Sequence, residues 1–308
     1  MSDVVGEIRS ACARVAQLAR HVTIIEDAVG AYAASLPLGA RPPAPDPRTH
    51  VLTGTREQLA AFWLTLDAIN FGSGWFPTLR KRDRRSGYFT IAAGLHERFE
   101  SRGPWTAAQL ARIDAAEIAA ALRQDAGHEL MGLFACSLRD LGGHVGEQFG
   151  GRFEGLVDAA AGSAVALAAQ LAAWQSFADQ SNFGGLSVPF LKRAQIAAAD
   201  LARAGVAAFD DLQRLTMFAD NLVPHVLRLD GVLRFEPELA ARIEREELIA
   251  HGSPEEIEIR ASALHAVELI AAARPGSCAA DIDLVLWTRG GQARYKSSPR
   301  HRSRCTAY

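Results

Sequence analysis

Apolar residues recur every three or four positions along most of the chain, which is the spacing of a helix that buries one face. A clear example lies near the start of the sequence, where one helical face carries Val5, Ile8, Cys12, Val15 and Leu18. Alternating apolar and polar positions are scarce and occur only in short runs such as RTHVLTG and RSGYFTIA. The pattern predicts an all-α, mainly helical fold with at most a minor β-hairpin around residues 74–91.

Polar residues at the ends of the apolar stretches predict where helices begin. Thr55 precedes Gln58 by three positions, and Thr106 precedes Gln109 in the same way, which is the spacing of a capping box. Prolines crowd the stretch LPLGARPPAPDPR, residues 36–48, and exclude a helix interior there. We therefore expect residues 1–48 to form an N-terminal helix followed by a proline-rich loop.

Length and composition bound the domain organisation. The chain has 308 residues, of which 49% are hydrophobic, so it can bury a large core. We interpret it as a single domain, residues 1–308, with two helical lobes around a cleft, roughly residues 50–185 and 186–308. The most apolar long stretch is mostly alanine and is interrupted by Asp158, Gln170 and Gln175, which favours a buried helix over a membrane span.

Charge and cysteine content exclude several partners. The formal net charge is −2, whereas proteins that bind nucleic acids usually carry a basic excess. The four cysteines are far apart and lack the His or Cys spacing of a zinc site, so we expect free thiols and no metal. We expect a soluble cytoplasmic protein without cofactors and without nucleic-acid or membrane partners. The oligomeric state stays open.

Lys192 stands at the start of the alanine-rich segment PFLKRAQIAAAD, with no acid three or four positions away. On a helix, Lys192 would point away from the apolar face and share its row with Gln195 and Ile196. Helix geometry alone therefore favours a solvated surface lysine whose stem lies over Ile196.

Asp220 lies inside the apolar stretch LTMFADNLVPHVLR. Because Pro224 fits only in the first turn of a helix, a helix is predicted to begin just after Asp220. The simplest interpretation of Asp220 is a helix cap. The alternative is a functional carboxylate held at a helix N-terminus.

Five segments of the sequence resemble the queuosine salvage family, the queuosine 5′-phosphate N-glycosylases that release the base queuine from its nucleotide. They occur in the family's order and read VPFLKRAQIAAADL, LTMFADNLVPHVLR, EEIEIRASALHAVELI, IDLVLW and RHRSRCTAY. The resemblance covers about residues 67–308, and NFGSGWFP (70–77) departs from the aromatic-rich version of other members. It implies a hydrolase whose fold is similar to that of helix-hairpin-helix DNA glycosylases.

The resemblance also implies which residues are catalytic. The family's essential lysine falls on Lys192 and its essential aspartate on Asp220. A carboxylate can stabilise the oxocarbenium character that develops on the sugar and can orient a water molecule, which is the role expected for Asp220. Lys192 is expected to act electrostatically, and a nucleophilic role is the alternative.

Two further groups of residues are candidates for substrate binding. Asp67, Asn70, Phe71 and Trp75 could read and stack on the base, although Phe71 and Trp75 are equally explained as core aromatics. The basic segment near residue 300 suggests a site for the 5′-phosphate, with Arg302, Arg304 and Tyr308 as main candidates and His301 as a weaker one. A disordered, solvated segment is the other interpretation.

The expected function is hydrolysis of the N-glycosidic bond of queuosine 5′-monophosphate, a small-molecule nucleotide, to release queuine. A DNA or RNA base glycosylase is one alternative, and the low positive charge argues against it. A non-catalytic queuine- or nucleotide-binding protein is the other. The buried charges Glu258 and Arg260 are expected to be structural, and Asp281 and Asp283 to be helix caps.

Overall fold

A computed structural model describes residues 3–39, 44–82 and 85–308. These residues are 59% helical and contain two small two-stranded sheets, which confirms the predicted fold class. The helices are α1 (Val4–Leu18), α2 (Glu26–Ser35), α3 (Arg56–Ala68), α4 (Gly87–Arg102), α5 (Ala107–Leu110), α6 (Ala115–Leu122), α7 (Glu129–Phe149), α8 (Phe153–Ala159), α9 (Ala164–Ala172), α10 (Lys192–Arg203), α11 (Leu222–Leu229), α12 (Pro237–Glu244), α13 (Pro254–Ala273), α14 (Ala279–Gly290) and α15 (Ala293–Lys296). The strands are β1 (Val22–Ile24), β2 (Gln180–Phe183), β3 (Leu186–Pro189) and β4 (Leu233–Phe235).

The β-hairpin is not where the alternating pattern predicted it. Residues 76–78 form a short 3-10 turn, and α4 begins at Gly87, where the Ser86 hydroxyl accepts the N–H of Phe89. Residues 83 and 84 lie outside the described part of the chain. The hairpin is formed instead by the antiparallel strands β2 and β3, while β1 pairs with β4 across a long stretch of sequence. The apolar residues of RSGYFTIA are therefore better explained by a buried helix face than by a strand.

The structure confirms the two helix starts that were predicted from capping residues. Both capping boxes form, with the Thr55 and Thr106 hydroxyls accepting the N–H groups of Gln58 and Gln109. On α1, the predicted face is buried except for Leu18, which is 46% exposed.

The N-terminal segment contains more structure than the single predicted helix, since α1, β1 and α2 all precede residue 39. All three pack against α13, a helix buried along most of its length. Glu258 on α13 is 1% exposed, and its Oε2 accepts the N–H groups of Arg20, His21 and Val22 at 2.9, 2.6 and 3.2 Å. A buried carboxylate thus fixes the N-terminal segment to the core. Within the proline-rich loop, residues 40–43 lie outside the described ranges.

The helices converge so that the end of α3 and the starts of α10 and α11 come together with the middle of α14. Arg193 on α10 is 1% exposed and joins two of these regions, donating to the Ala68 carbonyl at 2.5 Å and to the Ser176 carbonyl. The boundary proposed between two lobes falls in the turn between β2 and β3, and the division itself stays a prediction. No single helix in the described ranges is long and apolar enough to cross a membrane. Only the pair α8 and α9, bent by 118°, matches a span in length and composition.

Replacing Glu258 with Gln should lower the free energy of unfolding by about 1–3 kcal/mol, because three backbone N–H groups, that of Val22 buried, lose a carboxylate acceptor. The measurement is denaturant unfolding at neutral pH. Glu100→Gln, on an exposed position of α4, is the control and should change stability by less than about 0.5 kcal/mol. Equal stability of the two variants would contradict the prediction.

Candidate active site

Lys192 is buried at the first position of α10. The preceding residue, Leu191, adopts a left-handed conformation with φ of 52°, and it turns the chain from β3 into the helix. The Lys192 side chain is only 4% exposed, and its Nζ donates to the Asn70 carbonyl at 3.0 Å. Its backbone N–H donates to Asp179 Oδ2 at 3.0 Å. The interpretation as a solvated surface lysine, which considered one helix alone, is therefore wrong, because tertiary packing covers this side of α10.

The surroundings of Lys192 are strongly charged. Burial lowers the pKa of its ammonium, and the carboxylates of Asp220 and then Asp67 act in the opposite direction. The neighbouring Arg193 lowers the pKa further. Asp220, 28 positions later in the sequence, is thus the acid with the largest stabilising effect on the Lys192 charge.

Asp220 is partly exposed and acts as a helix cap with one of its two oxygens. Its Oδ1 accepts the N–H groups of Leu222 and Val223 at 2.7 and 3.2 Å, and Pro224 lies in the first turn of α11 as predicted. None of the described residues donates to Oδ2. The capping and functional interpretations are therefore compatible, since each uses a different oxygen.

Three more carboxyl groups surround this pair. Burial raises the pKa of Asp200 to about 6, with Arg203 and Lys192 acting against it. Burial, followed by the charge of Asp220, raises the pKa of Asp283 well above its ordinary value. Burial, followed by the charge of Asp200, does the same for Asp67. Burial therefore raises the pKa of all three neighbouring carboxyl groups, whereas Asp220 is the main charge that stabilises the buried Lys192 ammonium.

Among these carboxyl groups, Asp67 has the least satisfied hydrogen-bonding capacity. It is completely buried near the end of α3, and neither carboxyl oxygen has a hydrogen-bonding partner among the described residues. The Asn70 side chain is nevertheless close enough to lower the pKa of Asp67. A buried polar group without partners is costly to the fold, so such a group indicates either a ligand or a functional constraint.

The four predicted base-binding residues divide into two pairs. Asp67 and Asn70 lie beside Lys192, whereas Phe71 and Trp75 pack away from it. Phe71 is 1% exposed and contacts the Phe134 ring, with centroids 5.0 Å apart. Trp75 is 5% exposed and donates from Nε1 to Glu129 Oε2 at 2.7 Å. Both aromatic rings therefore occupy the positions of core side chains.

A different set of aromatic rings lies near the acids. Tyr88, Phe89 and Trp287 are partly exposed, with centroid distances of 5.2 to 6.0 Å. Burial, and then the charges of Asp200 and Asp67, raise the pKa of Tyr88. The Tyr88 hydroxyl lies 2.9 Å from His50 Nε2, and His50 stacks on Trp63. We call Tyr88, Phe89 and Trp287 the aromatic wall.

The residues predicted for the phosphate are ordered and already have protein contacts. Arg302 Nη2 lies 3.6 Å from Glu246, and Arg304 Nη1 lies 3.7 Å from Glu129. His301 and Tyr308 are 2% and 3% exposed, and burial lowers the pKa of His301 to about 3. The segment is thus packed against the protein, in contrast to the solvated alternative.

Arg300 is the cation of this segment that faces the acids. Burial lowers the pKa of its guanidinium, while the charge of Asp220 raises it. Partial burial, and then the like charge of Arg300, lower the pKa of Lys81 to about 8. The carbonyl of the next residue, His301, accepts the Asn221 side-chain N–H at 3.1 Å, which holds the segment at the start of α11.

Sequence reasoning missed Asp283, which it interpreted as a helix cap. Asp283 lies well inside α14, is 5% exposed and accepts the Phe218 N–H at 3.0 Å. The available signal was an acid one helical turn from Trp287 on an otherwise apolar face. Arg300 and the aromatic wall carried no comparable signal, because their contacts come from distant segments.

The arrangement suits charge stabilisation and proton donation around one small ligand. No group of three or more His, Cys, Asp or Glu side chains in the described ranges is arranged to hold a metal ion. A surface cavity of about 670 Å³ lies on the other side of α14, lined by residues such as Leu284, Val285 and Thr288, and it does not reach Lys192. The chemistry is therefore assigned to the acid-lined site.

Comparison with known proteins identifies the family. Residues 50–308 match the family model described as queuosine salvage protein. A Sphaerobacter thermophilus protein named queuosine 5′-phosphate N-glycosylase/hydrolase is 38% identical over 96% of this chain and 95% of its own length. A Mus musculus protein of the same name is 29% identical over 72% of this chain and 72% of its own length. A Dictyostelium discoideum protein of that name is 41% identical over 41% of this chain and 42% of its own length. The chain belongs to the queuosine salvage protein family.

Proposed function

We propose that this protein hydrolyses the N-glycosidic bond of queuosine 5′-monophosphate and releases queuine. The observation that carries the proposal is the buried Lys192 ammonium beside Asp220, whose Oδ2 remains available. An N-glycosidase needs an anion near the sugar and a proton donor near the base. The acids around Lys192 meet both requirements.

Asp220 is the group best suited to face the sugar. As the base departs, positive charge develops on the ribose, and a carboxylate fixed by two backbone N–H groups stabilises it without having to reorient. Its second oxygen can accept a hydrogen bond from the attacking water. We therefore assign Asp220 to stabilising the transition state and orienting the water.

Lys192 brings its charge close to that carboxylate, and the hydrogen bond from its Nζ to the Asn70 carbonyl holds the side chain in place. We assign Lys192 an electrostatic role and predict that no covalent adduct forms on it. Borohydride trapping of a sugar–lysine adduct would contradict this assignment.

The departing base requires hydrogen bonds and a stacking surface. Asp67, whose pKa is raised well above its ordinary value by burial, can accept from the guanine-like edge and, in its protonated form, donate to it, with Asn70 beside it. The rings of Tyr88 and Trp287 offer a surface for stacking. We propose that these residues bind the base, whereas Phe71 and Trp75 support the loop from the core side.

The 5′-phosphate has two candidate sites on the same segment. Arg300 faces Asp220 and lies near Lys81, and bound phosphate would relieve the repulsion between these cations. Arg302, Arg304, His301 and Tyr308, which the sequence favoured, already contact other protein groups. We propose that Arg300 makes the main phosphate contact, and the other four residues stay the alternative.

Incubating the purified protein with queuosine 5′-monophosphate and separating the products by chromatography tests the function. We expect free queuine and ribose 5-phosphate from the wild-type protein. Asp220→Asn should lower kcat at least about 100-fold, because it removes the negative charge but keeps the cap. Asp210→Asn, on an exposed loop, is the matched control and should keep full activity. Tight queuine binding without product release would favour the non-catalytic alternative, and a strongly salt-dependent KM would favour a nucleic-acid glycosylase.

Arginine substitutions distinguish the two phosphate sites. Arg300→Ala should raise KM for the nucleotide about tenfold or more and leave hydrolysis of the corresponding nucleoside nearly unchanged, because only the nucleotide carries the phosphate. Arg302→Ala and Arg304→Ala are the comparison variants and should change KM less than threefold. The reverse ranking would assign the phosphate to Arg302 or Arg304.

Asp67→Asn should stabilise the protein in a pH-dependent way. The folded-state pKa of Asp67 is raised, so the folded wild type binds more protons than the unfolded chain and loses stability as pH rises above the ordinary pKa of 3.8. Asparagine does not titrate. The variant should therefore be more stable than the wild type by at least about 1 kcal/mol at pH 8, with little difference near pH 3. Thermal unfolding between pH 3 and 8 measures this, and a difference independent of pH would contradict it.

A further inference from the structure

Arg260, on the buried helix α13, contacts the segments that carry both proposed catalytic residues. Its side chain has no exposed surface. Its Nε donates to the Ala219 carbonyl at 2.9 Å, directly before Asp220, and its Nη2 donates to Asp179 Oδ2 at 2.7 Å. The guanidinium thus has one partner beside Asp220 and a second on the strand side of the site.

Asp179 extends this link to Lys192. The same Oδ2 that accepts from Arg260 also accepts the Lys192 backbone N–H at 3.0 Å. Asp179 is 3% exposed, so water does not replace either bond. A continuous set of buried hydrogen bonds therefore runs from the Lys192 backbone through Asp179 and Arg260 to the backbone at Ala219.

Packing fixes the guanidinium itself. It lies 3.9 Å from the centroid of the Phe190 ring and 4.5 Å from that of Tyr308. Glu256, one turn earlier on α13, lies 3.5 Å from Nη1 and supplies a second negative charge. The Tyr308 carbonyl accepts the Gly72 N–H at 3.0 Å, which attaches Tyr308 to the loop after Asn70. Arg260 is therefore held in one orientation and cannot move without disturbing these segments.

We propose that Arg260 is a positioning residue, which sets the distance and orientation between the Lys192 ammonium and the Asp220 carboxylate. The proposal rests on the function proposed above. Arg260 does not contact the substrate, because Asp179, Glu256 and the two rings enclose it. Arg260 acts on Lys192 and Asp220 indirectly, by fixing the backbone at or next to each of these two residues.

The chemistry of the link requires arginine in particular. A guanidinium presents several N–H groups in a rigid plane, so it can donate to Ala219 and Asp179 in different directions. A lysine at this position would keep the charge, but all its N–H groups are on one nitrogen, which cannot take the separate positions of Nε and Nη2. Lys192 and Asp220 would then no longer be held in one relative geometry.

Kinetics of three variants test the proposal: Arg260→Lys, Arg260→Met and Asp179→Asn. Each should lower kcat about 100-fold, the loss typical of a displacement of about 1 Å, while KM changes less than threefold. Glu258→Gln is the matched control, since this residue is about as buried as Arg260, lies two positions away on α13 and, in the described ranges, accepts from the N-terminal segment alone. It should lose stability and keep kcat within about twofold of the wild type.

Amide hydrogen exchange gives a readout that does not require the reaction. Loss of the Arg260 link should raise exchange at least about tenfold in both residues 190–195 and residues 216–222. Glu258→Gln should leave both segments unchanged. Since Asp179→Asn and Arg260→Lys change few atoms, at least one variant is expected to remain folded.

The outcomes separate the two proposals. If kcat is unchanged in the three variants, or falls equally in Glu258→Gln, Arg260 is only structural and the inference is overturned. If the wild-type protein releases no queuine, the proposed function fails, and the exchange data alone decide the positioning role. Increased exchange in only one of the two segments would also overturn the inference, because it would show that Arg260 does not couple them.

Discussion

The removal of the Lys192 ammonium from water is the constraint on which the site depends. A buried cation is tolerated only when anions and fixed dipoles replace its hydration. Here Asp220, Asp67 and the Asn70 carbonyl supply that replacement, and they come from the end of α3 and the start of α11. The helices must therefore meet in one arrangement before the charge of Lys192 is stable. Burial in the same confined volume raises the pKa of Asp67, Asp200 and Asp283, although Lys192 acts in the opposite direction on each of them.

Helix α13 connects this chemistry with the rest of the molecule. Its buried charges do not form a single cluster, since Glu258 binds the N-terminal segment while Arg260 binds the segments around the site. A buried ion pair adds little net stability by itself, but removing one of its two partners strongly destabilises the fold, because the other charge stays buried without a partner. Charges along one buried helix therefore specify where remote segments lie, and this explains why α13 is buried all round in spite of its sequence EEIEIRAS.

The sequence predicted the helical class, both capping boxes and the break before Pro224, because these features depend on residues within one turn of each other. It could not predict the burial of Lys192, whose cover comes from distant elements. The likeness to the family paired Lys192 with Asp220, and their catalytic roles stay a proposal. Periodicity failed for Asp283, where an acid within a helix looks like a cap until its partner Phe218, 65 positions away, is known. Aromatic residues near a glycine turn also looked like a base site, although Phe71 and Trp75 belong to the core.

The aromatic wall has a consequence for spectroscopy. The five tryptophans all lie in the described ranges, and Trp63, Trp75, Trp105 and Trp174 are no more than 5% exposed. Trp287 is the exception, and it stands one helical turn from Asp283 and beside Tyr88. The solvent-sensitive part of the indole emission is therefore expected to come from Trp287, next to the proposed site. A base that stacks on this indole would change the colour and intensity of its emission, so binding could be followed without any label.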